Sequence, residues 1–239
     1  MSFVLNADVL SAIEPPIAES QTWIAGRTFP PEKPLLDLSQ AVPSYPPAKE
    51  LTDHVAERAA HFETAQYSVI RGIPELRQEL ADHVATRYGG VIGPENVLIS
   101  AGCNQAFCMA ILAIARAGDA GILPVPDPEE ARKLLTDKTK AIVLVSPNNP
   151  TGAVYPPEVI AEFRDLAAER GIALILDETY RDFLEDENGP PHDLFRDEKW
   201  GETLIQLYSF SKTFSLTGYR AGSVMAGAKT IDAVTKIMD

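Results

Sequence analysis

The sequence predicts an α/β fold with a mostly parallel, helix-flanked sheet, and three observations carry that prediction. Short apolar runs at 97–100, 121–125, 141–145, 172–176 and 204–207 each have the length of a buried strand. Segments of helical period separate them, several opening on proline or closing on glycine. Polar side chains gather just past the carboxyl ends of three runs, where open α/β sheets bind ligands. Alternating strands and helices imply right-handed crossovers and therefore parallel neighbours.

The elements follow in order. Residues 1–46 are rich in proline and lack long periodic runs, which predicts an arm that packs on another element or subunit. Residues 47–239 form the large domain. A helix is expected over 48–65 and a second over 74–87, with Pro74 in its first turn. The 97–100 strand leads through the turn Ala101-Gly102-Cys103-Asn104-Gln105 into a helix over 106–117, stopped by Gly118. The stretch 96–115 carries no charge and is long enough for a membrane span, but its central Ser, Gly, Asn and Gln favour strand, turn and buried helix. After the 121–125 strand, Asp127-Pro128-Glu129-Glu130 starts a helix that runs through Leu134 and Leu135 toward the strand at 141–145. The helix over 157–170 places Ile160, Phe163 and Ala167 on one stripe and ends at Gly171. Ile231, Val234 and Ile237 predict a last helix whose apolar stripe is exposed and fit for association.

Three segments carry chemistry. Lys212 lies among hydroxyls in Ser209-Phe210-Ser211-Lys212-Thr213, with Arg220 downstream. A lysine traps carbonyls only when its amine is partly deprotonated, and desolvation or a nearby cation achieves that. Ser146-Pro147-Asn148-Asn149-Pro150-Thr151-Gly152 makes a tight turn after one strand, and Asp177-Glu178-Thr179-Tyr180 follows another. Singly these read as a surface lysine, an ordinary turn and a helix N-cap. Jointly, Asn149, Asp177, Tyr180, Lys212 and Arg220 stand at neighbouring strand ends. A lysine for a Schiff base and a carboxylate for a pyridinium nitrogen are what pyridoxal phosphate requires.

With SPNNPTG, DETY and SFSKTFSLTGYRAG in this order and spacing, the chain resembles the class I/II aminotransferases, pyridoxal-phosphate enzymes of fold type I. The resemblance runs from near Leu38 to the last residue. It implies catalytic roles for Lys212, Asp177 and Tyr180: Lys212 holds the cofactor as a Schiff base and moves the substrate proton, and Asp177 keeps the ring nitrogen protonated. It implies that Asn149 and Tyr180 bind the phenolic oxygen, while Ser209 and Arg220 bind the phosphate. Gly102, Cys103 and Asn104, at a helix start, offer backbone amides to the same phosphate. Tyr67 matches a tyrosine that reaches the phosphate of a neighbouring subunit, which implies a homodimer; by itself it reads as half-buried packing. The implied reaction transfers an amino group between an amino acid and a 2-oxo acid.

Two departures qualify that expectation. Where the family places an aromatic residue on the pyridine ring, Asp127-Pro128-Glu129-Glu130 stands instead, and a helix and one edge strand are missing with it. The loss of ring stacking should weaken cofactor binding by roughly 1–2 kcal/mol. The sequence also stops at Asp239, before the family's small C-terminal domain and its carboxylate-binding arginine. The resemblance therefore implies an aminotransferase whose turnover, in this shortened chain, is weak or absent. A non-catalytic cofactor-binding remnant and a pyridoxal-phosphate lyase or decarboxylase stay open.

Composition narrows the partners. The 239 residues are 45% hydrophobic and 23% charged, enough for one substantial core. A net charge of −13 argues against nucleic acid or an anionic membrane. No basic segment followed by an apolar run opens the chain, so no signal peptide is expected. Cys103 and Cys108 do not form a disulfide framework, in keeping with a reducing cytoplasm. His54, His61, His83 and His192 show no ligand spacing, and no metal is expected.

Overall fold

The structure, a computed structural model, describes residues 3–14, 16–123, 125–185 and 189–239. The chain divides into two compact units, Met1–Ser44 and Tyr45–Asp239. The first holds α1 (Ala7–Leu10) and α2 (Pro16–Ile24), and α2 buries none of its residues. The second opens with α3 (Lys49–Ala59) and α4 (Pro74–Tyr88). It continues with β1 (Val97–Ser100), α5 (Cys103–Ile114), β2 (Ala120–Ile122), α6 (Pro128–Leu134) and β3 (Thr139–Val145). Then come α7 (Pro157–Arg170), β4 (Ala173–Asp177), β5 (Leu204–Ser209), β6 (Gly222–Ala226) and α8 (Ala228–Met238).

The sheet has six strands in the order β1-β6-β5-β4-β3-β2. Strands β2 to β5 are mutually parallel, while β6 runs antiparallel to both β5 and β1. The carboxyl ends of β1, β3, β4 and β5 therefore share one edge of the sheet, which the start of β6 joins. The register aligns Val145 with Asp177, Asp177 with Leu207, and Gly222 with both Ser209 and Ser100.

Period-two alternation divides the apolar strand residues between two faces. On one face Ile142, Leu144, Leu174 and Leu176 pack with Val84 of α4 and Phe163 of α7. On the other, Val143, Ile175, Leu207 and Val224 pack with Met109 of α5 and Val234 of α8. Each fully buried aliphatic side chain here contributes about 1.5–3 kcal/mol.

Several expectations need correction. The 48–65 helix breaks after Ala59 and resumes as a 3₁₀ turn at Phe62–Ala65, because the Thr64 hydroxyl takes the Arg58 carbonyl (2.7 Å) and His61 is extended. The 106–117 helix starts at Cys103 and ends at Ile114, beyond which Ala115 is extended and the Arg116 amide donates to the Asp119 carboxylate (3.1 Å). The 121–125 strand is confined to Ala120–Ile122, since the Val125 carbonyl accepts from the Asp127 amide in a turn (2.6 Å). Pro124 of that expected strand lies outside the described residues. The last helix does not expose its stripe: Ile231 and Val234 are fully buried, and only Ile237 retains 38% exposure. Strand β6 returns the chain so that α8 lies on the same face as α5, which covers those positions. Tyr67 is not half-buried but fully exposed.

Candidate active site

Local turn chemistry places each candidate group at the shared sheet edge. After β3, Asn148 holds its turn together: its side-chain oxygen accepts from the Thr151 hydroxyl (2.8 Å), and its carbonyl accepts from the Gly152 amide (2.8 Å). That leaves the next amide, Asn149, to donate to the Tyr180 hydroxyl at 3.4 Å. At the end of β4, Asp177 Oδ1 accepts from both the Thr179 amide (2.9 Å) and hydroxyl (2.7 Å), and Oδ2 accepts from the Cys103 thiol (3.3 Å). At the end of β5, buried Ser209 accepts the Ser211 amide on its hydroxyl (3.2 Å).

The positive groups come from the segment that joins β5 to β6. The Lys212 ammonium lies 6.0 Å from the centre of the Tyr180 ring. Burial lowers its pKa, and the Arg220 charge lowers it further. Arg220 has a left-handed backbone (φ 55°, ψ 58°), which is uncommon for a side-chain-bearing residue. Its guanidinium donates to the Thr217 carbonyl (3.0 Å) and the Ser211 hydroxyl (3.4 Å). Tyr180 is held in its protonated form, its pKa raised by burial and by the Asp177 charge.

The helix start joins them from β1. Gly102 adopts φ 83°, ψ 169°, a conformation essentially reserved for glycine, and as the N-cap of α5 it brings no side chain to cap the helix amides. A Cβ at Gly102 would lie 2.8 Å from Arg220 Cζ and closer still to Nη2, so the guanidinium rests on the glycine backbone. A Cβ at Gly222 would come within 2.9 Å of the Cys103 nitrogen, so β6 can approach the same helix start only as glycine. Asn149, Asp177, Tyr180, Lys212, Arg220, Gly102 and Cys103 are thus linked by direct contacts or mutual electrostatic effects. Asn104 follows on the first turn of α5, and Ser209 is tied to the group through Ser211 and Arg220. Tyr67, on the exposed loop before α4, has no contact with these groups among those described.

A ring that carries a phosphate, a protonated nitrogen and an aldehyde fits this arrangement. The amides at the head of α5 and the Arg220 guanidinium suit a phosphate. Asp177 suits the ring nitrogen, the Asn149–Tyr180 pair suits a phenolic oxygen, and the depressed Lys212 amine suits the aldehyde. At the position expected for an aromatic stacking residue, Asp127 caps α6 instead, accepting the Glu129 and Glu130 amides (2.9 and 3.1 Å).

One feature of the site's support was not anticipated from the sequence. Glu178, beside Asp177, is buried and accepts from the Tyr88 hydroxyl (2.9 Å to each oxygen) and from the Gln206 amide. The Leu194 amide donates to His192 Nδ1 (3.2 Å), which leaves the ring proton on Nε2, 3.4 Å from Glu178 Oε2. Burial pushes the Glu178 pKa up, but His192, the Arg181 charge and the Gln206 amide outweigh it and hold the carboxyl below its ordinary value. Arg181 is itself buried, its Cζ 4.2 Å from the centre of the Tyr208 ring, and Tyr208 donates to Asp182 (2.5 Å). A cavity of about 410 Å³ opens beside Arg181, Asp182 and Tyr208, but none of the candidate site residues lines it. Among the described residues no His, Cys, Asp and Glu group could hold a metal ion, and no helix is long and apolar enough to cross a membrane.

Comparison with known proteins shows the family. The chain is 30% identical over 233 residues to aspartate aminotransferase of Pyrococcus horikoshii, covering 85% of this chain and 58% of that relative. It is 32% identical over 224 residues to aspartate/prephenate aminotransferase of Thermus thermophilus, covering 80% and 57%. The chain thus spans less than two thirds of the length of these curated relatives. A solved structure of Thermus thermophilus aspartate aminotransferase complexed with tryptophan superposes with a TM-score of 0.82 at 27% identity, covering 99% of this chain and 68% of that one. The model of aminotransferase class I and II matches in two segments, 33–127 and 126–239, whose joint falls where the sequence reading places the missing helix and strand. Matched across the whole of its large unit, this chain belongs to the class I and II aminotransferases.

Proposed function

We propose that the chain binds pyridoxal 5′-phosphate through a Schiff base to Lys212, and that its protein transfers an amino group between an amino acid and a 2-oxo acid. The observation that carries this reading is the convergence, at one sheet edge, of a depressed lysine, a carboxylate and a tyrosine–asparagine pair. The bound cofactor supplies the electron sink. Lys212 moves the proton at the substrate carbon, and Asp177 holds the ring nitrogen protonated. Asn149 and Tyr180 donate to the phenolic oxygen. Arg220, Ser209 and the amides of Gly102, Cys103 and Asn104 hold the phosphate. The names of the relatives make aspartate the first donor to try.

The same reading makes 1–46 an arm and 47–239 the cofactor-binding domain of a cytoplasmic homodimer, in which exposed Tyr67 reaches the neighbouring subunit's phosphate. Asp127, engaged as a helix cap where a stacking ring would stand, favours a second reading of this chain by itself: cofactor binding with little or no turnover. Borohydride trapping of the chain with pyridoxal phosphate tests both readings. The peptide that carries Lys212 should take up the label, and labelling spread over exposed lysines instead would overturn the assignment. Steady transamination of aspartate by this chain would overturn the second reading.

A further inference from the structure

We infer that Cys103 is a positioning residue whose thiol acts on Asp177 Oδ2, the one carboxylate oxygen left with room for the cofactor ring. The inference rests on the cofactor reading above and deepens it. Its basis is a count of hydrogen-bond capacity. A carboxylate oxygen accepts about two hydrogen bonds. Thr179 fills both places on Oδ1 with its amide and hydroxyl. On Oδ2 the Cys103 thiol fills one place at 3.3 Å, and one remains. The thiol therefore shares an oxygen with the incoming ring nitrogen and fixes where that oxygen points.

Burial and the Asp177 charge keep the Cys103 thiol protonated, as a donor must be. The other titratable and charged groups that face this pair are Tyr180 on the Asp177 loop and Arg220 ahead of β6. Cys103 also leads α5, so one residue links the helix start expected to hold the phosphate with the carboxylate expected to hold the ring nitrogen. Its side chain serves one end of the cofactor and its amide the other. The carboxylate is thereby held from two elements, β4 and α5, rather than from its own loop alone.

Two measurements test this. The first is the infrared S–H stretch of the cofactor-free chain. The Cys103 band should be displaced from that of exposed Cys108, and Asp177→Ala should abolish the displacement. Coincident bands in the unsubstituted chain would overturn the inference whether or not the cofactor binds. The second is the pyridoxal phosphate dissociation constant, read by absorbance. Cys103→Ala should weaken binding roughly 2- to 10-fold, as loss of one hydrogen bond does, and Cys103→Ser should restore it. In an Asp177→Asn background the Cys103→Ala effect should shrink below about 2-fold, because the two substitutions then remove the same contact. An unchanged constant in Cys103→Ala, or an equal loss in both backgrounds, would overturn it. If Cys103→Ala does not fold, the infrared band and Cys103→Ser decide. A chain with a displaced band but no Lys212-dependent binding would sink the cofactor reading and leave the thiol–carboxylate contact established.

Discussion

The Arg220 guanidinium rests against the backbone of Gly102, in space that any Cβ at that position would occupy. The two residues come from different elements, one at the head of α5 and one ahead of β6. A Gly102→Ala substitution must displace the guanidinium and also accept φ 83°, ψ 169°, a backbone state that costs about 1–3 kcal/mol without glycine. Gly102→Ala should weaken pyridoxal phosphate binding and lower the melting temperature together. A variant with unchanged affinity would show that Arg220 does not need this space.

Lys212 should lose its proton more readily than a free lysine side chain. Burial and the Arg220 charge both disfavour its charged form, so its free-amine fraction at a given pH exceeds that of a free lysine side chain. Arg220→Gln removes the second cause and should move the titration midpoint upward. Competitive acetylation at a series of pH values, read by peptide mass, checks both statements. A midpoint equal to that of a lysine in an unstructured peptide, or one indifferent to Arg220→Gln, would contradict the electrostatic account.

The buried Glu178 should matter for stability more than any other unassigned carboxylate. Glu178→Ala leaves Tyr88 and Gln206 without their shared acceptor, removes the carboxylate beside His192, and takes from buried Arg181 one of its two nearby countercharges, the other being Asp182. Removal of one member of a buried charged set costs about 3–5 kcal/mol. Since folding lowers the Glu178 pKa, its stabilisation is complete above the unfolded value of about 4.3 and declines as pH falls through the folded value. Chemical denaturation of the variant beside the parent, at neutral pH and near pH 4, should show a gap that narrows in acid. A constant gap would place the effect in packing instead.

The two thiols should react at very different rates. Cys108 is exposed, whereas Cys103 is partly covered and held protonated by burial and by Asp177. Iodoacetamide at neutral pH should modify Cys108 and spare Cys103, as peptide mapping would show. Equal alkylation would mean that the Cys103–Asp177 contact is not maintained in solution.

Much of this architecture was legible from residue order. The helix Pro157–Arg170 was predicted to the residue because Pro157 starts it and Gly171 ends it with a positive φ of 63°. The strand Val97–Ser100 and the cores of β3, β4 and β5 stand out as apolar runs that end in turns. Strand β6 was not legible: Gly-Ser-Val-Met-Ala follows Ala221 as a short run headed by glycine, and it pairs antiparallel in an otherwise parallel sheet. The burial of Ile231 and Val234 could not be read locally either, because it depends on β6 bringing α8 onto the α5 face. Among the site residues, Asn149 and Tyr180 stand in the sequence just past two apolar runs, whereas their pairing comes only from the family resemblance. The supports of Glu178 were not, since Tyr88 and Gln206 lie 90 and 28 residues away along the chain. Their partnership exists only once α4 covers β4 and β5.

The most direct test of the central claim is a visible absorbance spectrum of the chain mixed with pyridoxal phosphate, beside Lys212→Ala. The account predicts a band that the unsubstituted chain shows and Lys212→Ala lacks, and that shifts when an amino acid is added. Identical spectra for the two proteins would contradict it.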